Sequence, residues 1–149
     1  ILILIGAHMI NPFLALSHLP TYVGGALVAL DLPVLGILAL MLLVYLVLGC
    51  FLEGFAMLVL TLPIFFPVVL ELGIDPIWFG VLVVLTLEMG LISPPVGINV
   101  FIVKSVAPNV SLIDIFRGVA PFWLAMLVTL IILIAFPQLS LFLPDTMFN

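Results

Sequence analysis

The chain has 149 residues, 67% of them hydrophobic and 6% charged, with two Lys/Arg against seven Asp/Glu and a net charge of -5. A soluble domain carries about a quarter charged residues to cover its surface, so water is excluded as the main solvent and the bilayer is expected instead. The acidic balance excludes nucleic acid and anionic membrane surfaces as partners, and the lone Cys50 and two isolated histidines, His8 and His18, offer neither a disulfide framework nor a metal site.

The chain opens Ile1-Leu2-Ile3-Leu4 with no Met and no basic stretch, and is expected to be a fragment of a longer protein. A spanning helix needs about 20 mainly apolar residues, so charges and Pro/Gly clusters mark the segment ends. Residues 1–17 form one apolar transmembrane helix, bent where Asn11-Pro12 removes a donor. Residues 18–32, with His18, Pro20, Gly24, Gly25 and Asp31, are too broken and polar to span and read as an interfacial connection. Residues 33–70 comprise two apolar arms joined at Glu53-Gly54; the second carries Pro63 and Pro67 and covers only about 24 Å of a core about 30 Å thick. Short arms joined by an acidic glycine turn suggest a re-entrant hairpin.

Residues 76–107 read as a helix broken at 93–97, because the tandem Pro94-Pro95 deletes two donors and disfavours helix just before it. Residues 111–118 form a short amphipathic segment with Ser111 as N-cap and Asp114 three residues on, and the final transmembrane helix runs over 119–143. The only basic residues, Lys104 and Arg117, flank one connection and place it in the cytoplasm, which puts the 71–76 loop, with Glu71 and Asp75, on the periplasmic side. The fold class is therefore all-α and polytopic.

Unwound backbone at membrane depth is tolerated only when buried in protein or lining a cavity, so Ser93 to Gly97 marks a candidate site. Its carbonyls and the Ser93 hydroxyl are hard oxygen donors suited to an alkali cation, and the next half-helix aims its positive end at any anion opposite. A plain proline kink satisfied by its neighbours is the competing explanation. Glu53 is either an intramembrane acid at a hairpin tip or a solvated turn. Glu88 is too deep for an easy surface explanation and is either functional or a protonated structural acid. Asn99 and Thr86 are further candidates, each with side-chain packing as the competing role. Asp31, Glu71, Asp75, Asp114 and Asp145 fall in loops or ends where solvation is the default, and Trp78 and Trp123 read as anchors at the membrane interfaces. An intramembrane protease is excluded for want of a paired intramembrane Asp or a Ser with a His partner, so no enzyme is expected.

The strings Gly49-Cys50-Phe51-Leu52-Glu53-Gly54, Leu62-Pro63-Ile64-Phe65-Phe66-Pro67, Gly73-Ile74-Asp75-Pro76 and Gly90-Leu91-Ile92-Ser93-Pro94-Pro95-Val96-Gly97-Ile98-Asn99, closed by Phe136-Pro137 and Leu143-Pro144, resemble in order the C-terminal half of the large, DctM-type subunit of tripartite ATP-independent periplasmic (TRAP) transporters. The resemblance implies half of an inverted-repeat elevator transporter in the bacterial inner membrane, driven by sodium as coupling ion with no other cofactor. Its partners would be a small DctQ-type membrane subunit, a periplasmic substrate-binding protein, a small organic acid as substrate and membrane lipid. By position, Glu53 and Gly54 would be the tip of the second hairpin, and Ser93, Pro94, Pro95, Gly97 and Asn99 the break of the second broken helix. Together they would form a sodium site, through Ser93 and the Gly97 backbone, and one wall of the substrate site. Family members often carry Asp where Glu53 stands and Thr where Ser93 stands; both exchanges keep an oxygen donor. A non-transporting membrane scaffold or assembly subunit is the alternative function.

Overall fold

The computed structural model describes Gly6, Met9, Pro12 and residues 16–29 and 31–147. The span expected over 1–17, with His8 and the bend at Asn11, falls mainly outside the described residues. The described residues form helices and no strand: α1 (Leu19–Val28), α2 (Val34–Gly49), α3 (Gly54–Glu71), α4 (Pro76–Leu91), α5 (Ile98–Val106), α6 (Leu112–Ala135) and α7 (Gln138–Met147). Of these, α3 and α6 are long and apolar enough to cross a membrane, while α2 and α4 are shorter apolar helices.

The segment read as an interfacial connection, 18–32, holds the helix α1. Pro20 falls in the first turn of α1, where no donor is lost. Gly24 is buried against α3, and a Cβ there would stand 3.2 Å from Val68 Cγ2, so the glycine serves close packing rather than a chain break.

Helix α2 buries Ile37, Leu38, Met41, Leu42, Tyr45 and Gly49, one stripe at helical spacing. Tyr45, wholly buried, is its hub: its ring meets Phe65 of α3 at 5.3 Å and Phe79 of α4 edge-on at 6.3 Å. The Tyr45 hydroxyl lies 3.0 Å from Thr61 Oγ1, which spends its own proton on the Met57 carbonyl at 2.8 Å, so Tyr45 is the donor. An apolar bundle is thus cross-braced by a satisfied polar pair.

The end of α3 is a Schellman turn. Gly73, at φ 68, donates to the Leu70 carbonyl, and Ile74 donates to Val69. Asp75 then caps α4, accepting from Ile77 and Trp78 N–H at 2.8 and 3.0 Å, with Pro76 at the first helical position. Helix α4 is central and touches α2, α3, α5, α6 and α7. It crosses α2 at Gly49 and Gly90, where a Cβ on Gly90 would meet Gly49 backbone at 2.8 Å. Only glycine at both positions lets the backbones come this close.

The amphipathic segment and the first part of the span expected over 119–143 are one helix in the structure, α6, and the chain breaks at 136–137, so that the expected end of the span falls in α7. Ser111 caps α6 as its sequence suggests, accepting from Asp114 N–H at 3.1 Å. The helix ends at Phe136 (φ -128), which precedes Pro137 and so is disfavoured in helix. Pro137 also leaves the Leu133 carbonyl without its ordinary donor, and the Trp78 indole N–H fills the vacancy at 2.8 Å. Trp78 is 8% exposed and braces α4 to α6, which corrects its reading as an interface anchor.

Candidate functional site

The site is built on the interruption between α4 and α5. Pro94 and Pro95 stand where donors to the Gly90 and Leu91 carbonyls would be. Gly90 is recovered by the Ser93 N–H at 3.0 Å. Among the described residues, no backbone N–H reaches the carbonyls of Ile92, Ser93, Pro95 or Val96. The Pro94-Pro95 bond is cis. Gly97 closes the interruption at φ 61, ψ 72, a left-handed conformation, and its carbonyl accepts from Val100 and Phe101 N–H at 2.8 and 3.3 Å to start α5. A Cβ on Gly97 would stand 3.1 Å from the Ser93 carbonyl oxygen and 3.3 Å from Phe116 Cε1.

Ser93 is buried at 6% exposure. Its hydroxyl donates to the Met89 carbonyl at 2.6 Å and accepts from the Trp123 indole N–H at 2.7 Å. One acceptor lone pair is left. Trp123, read from sequence as an interface anchor, therefore points its indole inward from α6 to the break, because a buried N–H needs an acceptor.

An apolar cavity of about 590 Å³ lies beside the break, with Leu46, Cys50 and Phe51 from the end of α2, Ser93, Pro94 and Pro95 from the break, and Phe116 and Trp123 from α6 among its lining residues. The Cys50 thiol donates to Leu46 O at 3.3 Å and approaches Pro94 O at 3.8 Å. The turn after α2 and the break are thus neighbours, held together by the Gly49–Gly90 crossing.

The other sequence candidates lie off this wall. Glu53 is exposed and caps α3, its Oε1 accepting from Phe55 N–H at 3.1 Å and Oε2 from Ala56 N–H at 3.0 Å. Both carboxylate oxygens thus meet the positive end of a helix. Gly54 opens that helix with free space around it. Asn99 is half-buried in the first turn of α5, and Glu88 projects from an exposed face of α4. Thr86 is buried and donates to the Leu82 carbonyl at 2.7 Å, a packing role. Lys104 donates to the Pro108 and Val110 carbonyls at 2.7 and 2.6 Å, tying down the loop after α5. Among the described residues no three His, Cys, Asp or Glu side chains cluster as a metal site, so the oxygen donors at the break are backbone carbonyls and one hydroxyl.

The sequence reading did not include Cys50, Phe51, Phe116 and Trp123 in the site. The readable signal was the indole of Trp123, which needs a partner, and the small residues Gly49 and Gly90 at the ends of two apolar helices.

Long apolar helices with exposed faces such as Phe122, Leu124, Val128 and Ile131, packed round an interrupted helix, define a helical membrane protein. Residues 1–139 match the family described as tripartite ATP-independent periplasmic transporter, DctM component. The chain belongs to that family. It is 43% identical over 102 residues to the C4-dicarboxylate TRAP transporter large permease protein of Pseudomonas aeruginosa, covering 68% of this chain and 24% of that protein. It is 32% identical over 144 residues to the sialic acid TRAP transporter large permease protein of Vibrio cholerae, covering 97% of this chain and 34% of the relative. Over 137 residues it is 29% identical to the ectoine/5-hydroxyectoine large permease protein of Ruegeria pomeroyi, covering 91% and 32%. The chain thus spans about a quarter to a third of the length of these relatives. They are permease subunits, not enzymes, in agreement with the expectation drawn from the sequence.

Proposed function

We propose that the chain is the part of a TRAP large permease subunit that carries one half of a sodium-coupled transport site, in a complex taking up small organic acids across the inner membrane. In this reading α2 and α3 form a re-entrant hairpin, α4 and α5 a broken helix, and the pair moves as part of an elevator-type transport domain. A small membrane subunit and a periplasmic substrate-binding protein are its partners.

The observation that carries the reading is the set of carbonyls at Ile92, Ser93, Pro95 and Val96 without backbone donors among the described residues, next to the turn that follows α2. Such oxygens suit a hard monovalent cation. Gly97 contributes chiefly by its left-handed backbone, since its own carbonyl already accepts two N–H groups. Glu53 adds negative charge at the neighbouring helix start. The relatives' names, which cover C4-dicarboxylate, sialic acid and ectoine/5-hydroxyectoine, support a small polar substrate.

The test is uptake of a panel of small organic acids by proteoliposomes holding the full-length subunit with its partners, titrated with sodium. Ser93→Ala should raise the half-saturating sodium concentration moderately, and Gly97→Val should nearly abolish sodium-dependent uptake. Sodium-dependent uptake untouched by either change would return the break to a plain kink.

A further inference from the structure

We infer that Trp123 is a sodium-opposed latch: its indole N–H holds the Ser93 oxygen at the break, and must let go for that oxygen to serve a cation. The inference rests on the sodium reading of the break proposed above. It starts from the proton count at one atom. Ser93 Oγ has a single proton, spent on the Met89 carbonyl at 2.6 Å, and two lone pairs, one of them taken by the Trp123 N–H at 2.7 Å. A cation drawn to the second lone pair would sit beside the positive end of the indole N–H dipole, and like charges at this range in a buried site repel. With the indole withdrawn, the hydroxyl still donates to Met89, which polarises it toward a better ligand.

The latch also has a place in the fold. Helix α6 touches the interruption at both ends, through Trp123 at Ser93 and through Phe116 at Gly97. Between these contacts lies the apolar cavity of about 590 Å³, which has Trp123 in its wall and gives the released ring room to turn. Met89 keeps its hydrogen bond when the indole leaves, so the cost of release falls on the Trp123 N–H, which is left without its acceptor beside the apolar cavity.

The test is sodium titration of uptake by proteoliposomes with the full-length subunit and its partners. Trp123→Phe, which keeps an aromatic ring and removes the N–H, should lower the half-saturating sodium concentration by roughly three- to tenfold, the equivalent of one neutral hydrogen bond. In a Ser93→Ala background the same change should produce no further shift. Should Trp123→Phe fail to assemble, the tryptophan isostere with sulfur in place of the ring N–H, installed at position 123, preserves the shape and must give the same lowering. A merely structural Trp123 would cut the maximal rate and leave the half-saturation unchanged, which overturns the latch. A shift in Ser93→Ala with none in the position-123 variants overturns the latch alone. No shift in Ser93→Ala, Gly97→Val or the position-123 variants overturns the sodium reading and the latch with it.

Discussion

Replacing Gly90 with alanine puts the packing argument at its sharpest. The added Cβ would lie 2.8 Å from both the Cα and the carbonyl carbon of Gly49 and 3.0 Å from the Leu46 carbonyl oxygen. Carbon atoms in contact settle at about 3.5–4.0 Å, so α2 and α4 would have to part by close to 1 Å, and no flexible side chain is there to yield. A gap of that size forfeits a quarter to a half of each contact energy along the crossing, and overpacking of this kind costs about 1–3 kcal/mol. Gly80, on the same helix, is the internal control, because nothing lies within 4 Å of its Cβ position. There the same exchange should stabilise by roughly 0.5–1 kcal/mol through helix propensity. The assay is the thermal unfolding midpoint of the purified full-length subunit in detergent. Gly90→Ala should lower it and Gly80→Ala should hold or raise it; equal midpoints for the two would refute the close-crossing argument.

Three further outcomes follow from the same geometry. Trp78→Phe strands the Leu133 carbonyl that Pro137 cannot serve, and should cost about 1–3 kcal/mol, read as a lowered unfolding midpoint that a Trp78→Phe, Pro137→Ala double variant partly recovers. Glu53→Gln keeps one acceptor oxygen but loses the charge and one of the two caps on α3, so half-saturating sodium should rise, and an unchanged titration would reduce Glu53 to a helix cap. If α2 and α3 re-enter rather than cross, single cysteines over Leu52 to Ala56 should resist an impermeant cytoplasmic thiol reagent in the outward-facing state, whereas labelling in every state would make them ordinary spans.

The helical, membrane-embedded character was legible because so few charges leave no way to clothe a soluble surface. One helix end written in local chemistry was legible too, the Ser111 cap, whereas Asp75, read as a solvated loop residue, proves to cap α4 and Gly73 to end α3 in a left-handed turn. Where packing decided, the pattern misled. Gly24 and Gly25 resemble chain breakers, yet Gly24 lets α1 lie against Val68. The segment at 111–118 looks separable from the span after it, but nothing interrupts α6 until Phe136, next to Pro137. Both tryptophans look like interface anchors, and each instead finds a specific acceptor inside the bundle, at Leu133 and Ser93. At the candidate site, the Pro94-Pro95 interruption could be read from residue types. The partners of Ser93 could not, because the Trp123 contact joins residues 30 positions apart and depends on how α6 packs.

The proposed binding of sodium at the interrupted segment can be measured by a thiol-protection titration. With Cys50 replaced by alanine, a single cysteine at Val96 in the full-length subunit with its partners reports access to the break. Its labelling rate should fall as sodium is added, with a half-effect at the concentration that half-saturates uptake, and potassium should leave it unchanged. Equal labelling rates in sodium and potassium at every concentration would contradict sodium binding there.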